Sequence, residues 1–217
     1  MLCSRHALSP GLRLDGAAGR VHAAAVSDDP IALFRAEHAR AAGREEFDAD
    51  RAALATADAA GRPSVRFVLV REVAADGFVF YTNYESQKGV ELSENPYAAL
   101  AWHWASTGVQ IRADGGTRRI AAGRSDAYFA SRPRGSQIGA WASPQSRPVA
   151  EADTLVRAVA EHSRRFPDGP VARPPFWGGY VLEPHRIEFW HNGEDRLHDR
   201  FLYVKDGDGW QRSRLAP

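Results

Sequence analysis

The stretch VRFVLVREVAADGFVFYTN (Val65–Asn83) decides the fold. Val65, Phe67 and Leu69 alternate with Arg66, Val68, Val70 and Arg71, as a strand would. Ala75-Asp76-Gly77 supplies a turn, and Phe78 to Asn83 is aromatic and β-branched enough for a second strand. Upstream, Ala52 to Asp58 followed by Ala60-Gly61-Arg62-Pro63 predicts a hairpin into the same strand, so three strands succeed one another as a meander. Farther upstream, Asp29-Pro30 reads as the cap and first turn of a helix carrying Ile31, Leu33, Phe34 and His38 and ending near Gly43.

Downstream, Ser86 to Asn95 suits a short helix stopped before Pro96, and Tyr97 to Trp104 a strand whose Trp102-His103-Trp104 run is core or interface. Val109 to Ile120 continues the sheet, with Asp114-Gly115-Gly116 marking a bulge or turn. Helices are predicted over Ser125 to Ser131 and Glu151 to Phe166, the latter with Leu155, Val156, Val159 and His162 near one face. Tyr180 to Trp190 and Arg200 to Lys205 read as strands, and Gly207-Asp208-Gly209 turns into a last one near Trp210. The fold class is therefore mainly β with helices, an α+β chain built on an antiparallel sheet of roughly six to eight strands. Long βαβ alternation is absent, which excludes a Rossmann domain.

With 217 residues, 44% hydrophobic and 25% charged, the composition is that of a globular chain and excludes collagen, coiled coil and wholesale disorder. A formal charge of +1 is too balanced for a general nucleic-acid or membrane-surface binder, so a small-molecule partner is expected. The lone cysteine, Cys3, excludes an internal disulfide and a cysteine zinc cluster, and no metal site is expected. No stretch approaches a secretory h-region or a membrane span, and a cytoplasmic location is the simplest expectation. Residues 1–28 lack a clear period and read as a flexible arm, leaving 29–217 as one domain.

P-loop, dinucleotide, zincin and nucleophile-elbow signatures are missing, but three segments gather cations and hydroxyls. The first joins Arg66 and Arg71 to Tyr81-Thr82 and to Ser86-Gln87-Lys88 at a helix start, where free N–H groups and cations favour a phosphate; a solvated strand face is the alternative. The second places Tyr128, Arg132 and Ser136 at spacings of four, able to converge on another phosphate if the backbone is helical, although Pro133 argues against a regular helix. The third is Arg196, His198 and Arg200, which alternation in an extended segment would put on one face, to be compensated by a ligand or by Glu194, Asp195 or Asp199.

These segments resemble the pyridoxine/pyridoxamine 5′-phosphate oxidase family, through SRPRGSQIGAW (Ser131–Trp141), PFWGG (Pro175–Gly179), IEFW (Ile187–Trp190), RLHDRFLY (Arg196–Tyr203) and the terminal RLAP (Arg214–Pro217). The resemblance covers nearly all of 29–217 and implies an FMN-binding split β-barrel, a homodimer with flavin between the subunits. It implies FMN contacts from Arg66, Phe67, Val68, Leu69, Val70, Arg71, Tyr81, Thr82, Gln87, Lys88, Gln110, Gln145, Ser146, Trp190 and Arg200. The substrate would meet Arg71, Tyr128, Arg132, Ser136, Arg196, Leu197 and His198, with Arg196 and His198 as the catalytic pair over the pyridine ring.

The implied activity is FMN-dependent oxidation of pyridoxamine 5′-phosphate or pyridoxine 5′-phosphate to pyridoxal 5′-phosphate, with dioxygen reduced to hydrogen peroxide. Two alternatives stand beside it: a flavin oxidase of the same fold acting on another substrate, similar to those of phenazine biosynthesis, and a non-catalytic flavin or pyridoxal-phosphate binder. The chain departs from the family pattern at Arg71, where lysine is common, at Gln87, where an arginine is usual, and at Gly16, which stands for the tyrosine of a substrate-covering Arg-x-x-Tyr that begins here at Arg13.

Overall fold

The computed structural model describes residues 27–151 and 153–217, so the expectations for the arm, including Cys3, Arg13 and Gly16, lie outside the described residues. Helix α1 (Pro30–Ala41) begins as predicted: the Asp29 carboxylate accepts the N–H groups of Ile31 and Ala32 at 2.8 and 3.2 Å, with Pro30 in the first turn. Strands β1 (Arg51–Ala57) and β2 (Pro63–Val73) form the hairpin, in register from Arg51 opposite Leu69 to Ala57 opposite Pro63. Its turn is closed by Asp58, which accepts from the backbone N–H of Ala60 and of Arg62.

The remaining elements follow as β3 (Phe78–Asn83), α2 (Gln87–Glu94), β4 (Tyr97–Trp104), β5 (Val109–Arg119), α3 (Ala122–Ser131), α4 (Arg134–Ala142), α5 (Thr154–Arg165), β6 (Trp177–His191), β7 (Asp199–Asp206) and β8 (Gly209–Leu215). The sheet runs β3-β2-β1-β4-β5-β6-β7-β8, and β3 also pairs with β6, so the first six strands in that order close into an antiparallel barrel. Strand β6 is 15 residues long and divides its edge: Trp177 to Leu182 pairs with β3, whereas Arg186 to His191 pairs with β7. Along its other edge β5 shifts register between Asp114 and Gly115, the anticipated bulge. Gly115 is required there, since a Cβ would lie 2.0 Å from the Glu183 carbonyl oxygen.

Helix α1 plugs the barrel. Phe34, 1% exposed, meets Phe78 and Trp102 edge-on at 4.8 Å and packs against Trp104 at 5.7 Å. Trp102 and Trp104 are thus core, as the alternation of that strand implies, while His103 between them is exposed. Helix α5 differs from expectation. Leu155, Val156 and Val159 stay 39%, 68% and 41% exposed, because the helix docks through Trp141 of α4, whose ring stacks on His162 at 5.8 Å and contacts Phe166.

The alternation predicted for Arg196, His198 and Arg200 is also corrected. Glu194–Arg196 forms a single 3-10 turn with Asp195 and Arg196 at φ of 51° and 63°, and the strand begins only at Asp199. Gly193 permits this turn, because a Cβ there would fall 2.1 Å from the Leu197 carbonyl oxygen. The three side chains therefore leave a folded loop and a strand rather than one extended face.

Candidate active site

A cavity of about 720 Å³ opens between β2, β3, α3, α4 and the start of β6, within the range of cofactor and ligand sites. One end is built by the N-terminus of α2. Ser86 caps the helix, and Gly89 lets it approach the preceding loop, where a Cβ would sit 2.2 Å from the Tyr84 carbonyl oxygen. The Lys88 ammonium, drawn back into this corner, donates to the hydroxyls of Thr82 and Ser86 at 3.0 and 2.9 Å and to Oε1 of Gln145 at 2.9 Å. All three acceptors are neutral. Burial, followed by repulsion from Arg66, lowers the Lys88 pKa from 10.5 to about 8, with Glu91 opposing the shift.

Arg66 itself faces away from the cavity. It donates to Thr56, Ser64 and Glu91 beneath α2, where Gln87 also donates to Glu91. Burial alone would raise the Glu91 pKa, but hydrogen bonds donated to its carboxylate by Thr56, Ser64, Gln87 and Arg66 hold it below the ordinary carboxylate value. Phe67, Val68 and Leu69 of β2 line the cavity, whereas Val70 is buried in the core. Ser146 lies just beyond Gln145, exposed, with φ of 69°.

The other end gathers Arg71, Tyr128, Arg132 and Ser136. Pro133 does interrupt the helix, yet the interruption produces the convergence: α3 ends at Ser131, α4 starts at Arg134, and the bend aims side chains from both into one space. Tyr128 stacks on Tyr81 at 3.7 Å and lies parallel to Trp177. The Arg132 guanidinium sits 4.7 Å from the Trp177 ring and 5.7 Å from that of Phe129. Its Nη1 is buried and has no partner among the described residues, and burial holds its pKa below the ordinary arginine value despite Tyr128. Arg71 donates instead to Asp50 at 3.0 Å and Asp48 at 3.3 Å. Arg51, on the first residue of β1, is a further cavity cation that sequence reading missed. Its signal was only its register opposite Leu69.

Gln110, Trp190, Arg196, Leu197, His198 and Arg200 do not line this cavity. Gln110, Trp190 and Arg200 form one row across β5, β6 and β7, and the His198 ring lies 4.4 Å from that of Trp190. Arg200 pairs with Glu188 at 2.8 Å and also donates to the Ala216 carbonyl. Burial would raise the Glu188 pKa, but Arg112 and Arg200 hold it below the ordinary value. Arg196 and Leu197 are exposed, Leu197 by 73%. On β6, Gly178 pairs with the cavity residue Thr82 and Trp190 with Gln110; twelve residues of strand span roughly 40 Å when straight. The two groups of candidate residues lie toward opposite ends of one strand.

Comparison with known proteins places this arrangement. Residues 39–165 match the family model described as pyridoxamine 5′-phosphate oxidase, and residues 177–217 match the pyridoxine 5′-phosphate oxidase C-terminal dimerisation region. The pyridoxine/pyridoxamine 5′-phosphate oxidase of Anaeromyxobacter dehalogenans is 52% identical over 189 residues, covering 87% of this chain and 96% of that one. The enzyme of the same name from Rubrobacter xylanophilus is 49% identical, covering 87% of each. Among solved structures, PhzG from Burkholderia lata, in complex with tetrahydrophenazine-1-carboxylic acid, superimposes with a TM-score of 0.82 at 33% identity, over 88% of this chain and 94% of that one. The chain belongs to the pyridoxamine 5′-phosphate oxidase family of oxidoreductases.

Proposed function

We propose that this protein is an FMN-dependent oxidase that converts pyridoxamine 5′-phosphate or pyridoxine 5′-phosphate to pyridoxal 5′-phosphate with dioxygen as the electron acceptor. The observation that carries the reading is a single cavity with cations at both ends, Lys88 at one and Arg71 with Arg132 at the other, and an aromatic and aliphatic wall between them. Two phosphoesters fit two such ends. The fit to FMN rests on Lys88, whose buried ammonium has only neutral acceptors, and on the α2 N-terminus beside it.

Bound FMN would accept a hydride from the substrate and pass the electrons to dioxygen, yielding hydrogen peroxide. The chain's own residues bind and orient. Lys88, Thr82, Gln145 and Ser146 hold the cofactor phosphate end, and Phe67, Val68 and Leu69 present a wall for its rings. Arg71, Tyr128, Arg132 and Ser136 take the substrate phosphate, with the Arg132 guanidinium, which meets no carboxylate among the described residues, supplying positive charge there. Gln110, Trp190, Arg196, Leu197, His198 and Arg200 enter from a second copy of the chain, which the span of β6 and the matched dimerisation region both support. Arg196 and His198 then lie over the substrate ring and orient its amine or alcohol.

The likeness to PhzG keeps a non-phosphorylated substrate as the competing reading. Arg132 discriminates: a substrate without phosphate leaves its guanidinium without a counter-charge. The test is the visible absorbance of purified protein supplied with FMN, followed by anaerobic pyridoxamine 5′-phosphate. Bleaching of bound flavin and peroxide formation on readmission of air are expected; a protein that takes no flavin, or whose flavin is not bleached, overturns the reading.

A further inference from the structure

Arg71 lines the cavity, and its surroundings show how its guanidinium is held. Its Nη1 donates to Asp50 Oδ2 at 3.0 Å and to Asp48 Oδ2 at 3.3 Å. Its Nε and Nη2 have no partner among the described residues. Asp50 is itself held twice: its other carboxylate oxygen meets His38 Nε2 at 2.8 Å, and its backbone carbonyl accepts the N–H of Val70 at 2.9 Å. His38 is fixed in turn on α1, its ring stacked on Phe34 and edge-on to Trp104.

We infer that Asp50, braced by His38, is a positioning residue that turns the Arg71 guanidinium so that its unengaged N–H groups face the cavity and grip the substrate phosphate. The inference rests on the functional reading above. A guanidinium can give one nitrogen to carboxylates and still offer the other two to a phosphoester; an ammonium, a single point of charge, would be captured by the two carboxylates. An arginine can thus serve Asp50, Asp48 and a phosphate together, and the three residues His38, Asp50 and Arg71 act as one device.

Steady-state kinetics on the FMN-loaded enzyme tests this with pyridoxamine 5′-phosphate and with pyridoxamine, which lacks the phosphate. Asp50→Ala is expected to raise KM for the phosphate ester about tenfold with kcat little changed, to leave kcat/KM for pyridoxamine unchanged, and to leave FMN affinity unchanged. Asp50→Asn, which keeps the side-chain shape, should show the same split and guards against loss of folding. His38→Leu should show part of the effect, and His38→Gln, which can still donate to Asp50, should stay close to wild type. Arg71→Lys should be more damaging with Asp50 present than in the Asp50→Ala background. Unchanged KM, equal losses on both substrates, or strictly additive losses would overturn the inference while leaving the activity standing. A wild-type chain with FMN bound that does not turn over the phosphate ester removes the functional reading and this inference together.

Discussion

The two candidate half-sites treat their cations differently. At the cavity, Lys88 has three neutral oxygens for partners, and Arg132 lies over an indole with one nitrogen unpaired. At the far end of β6, Arg112 and Arg200 both meet Glu188, and Arg214 meets Asp199. A buried cation without a carboxylate is held at an electrostatic cost that an incoming anion offsets. A compensated one already has its geometry and serves as a fixed wall. On the proposed function, the cavity half would bind phosphate and the β6–β7 half would position what is bound. Arg71 combines both habits, engaged with carboxylates on one nitrogen and open on the others.

The largest test of this division is complementation. Arg132→Ala and Arg196→Ala should each lower kcat/KM for pyridoxamine 5′-phosphate by about 100-fold or more, since each removes a charge-assisted contact from one half-site. If the halves come from different subunits, a hybrid of the two variants holds one intact site. Equal amounts, dissociated and reassembled at random, should then regain about a quarter of wild-type activity. Activity that stays at the level of the separate variants would show that both halves act within one chain.

That division was only partly legible beforehand. The barrel strands were readable because Val65 to Val70 alternates, Phe78 to Asn83 and Tyr97 to Trp104 are rich in apolar and aromatic residues, and turn residues separate them. The convergence of Tyr128, Arg132 and Ser136 was readable in composition but not in cause, since Pro133 separates two helices whose mutual angle is a tertiary matter. The loop at Arg196 defeated alternation because two successive left-handed residues carry no strong local signature when they are aspartate and arginine. Arg51 and the His38–Asp50 contact depend on register and on docking of α1, neither of which spacing along the chain reports.

A second test removes the unpaired cation. Lys88→Met should weaken FMN binding by roughly 100-fold, measured by flavin fluorescence titration. The flavin-free protein should melt no lower than wild type. The folded Lys88 pKa of about 8 lies below its ordinary 10.5, so the ammonium destabilises the flavin-free fold below pH 8, and that penalty is relieved as pH rises from 8 toward 10.5. A lower melting temperature in the variant would mean that the three neutral acceptors outweigh the desolvation of Lys88.

The same lysine gives a pH signature of intermediate size. FMN phosphate is a dianion above about pH 7, so its affinity follows the protonation of Lys88. The dissociation constant should be nearly flat between pH 7 and 8 and rise up to about tenfold per pH unit above 8. Lys88→Arg, which stays charged, should abolish the rise even if it binds less tightly. A wild-type profile that remains flat to pH 10 would assign the phosphate to another cation.

The smallest effect on catalysis belongs to the carboxylate that compensates two arginines at the far end of β6. Glu188 is 4% exposed and joins Arg112 on β5 to Arg200 on β7. Glu188→Gln removes the charge but keeps an amide oxygen as acceptor, so both guanidiniums lose their counter-ion while the strands keep their register. Because both arginines reach solvent, the expected loss of stability is about 1–3 kcal/mol, read as a lower midpoint in urea with an unchanged slope. KM for pyridoxamine 5′-phosphate should move less than about twofold, since Glu188 touches neither phosphate end. A large KM change without loss of stability would place Glu188 among the groups that steer substrate and would erase the contrast between the two halves.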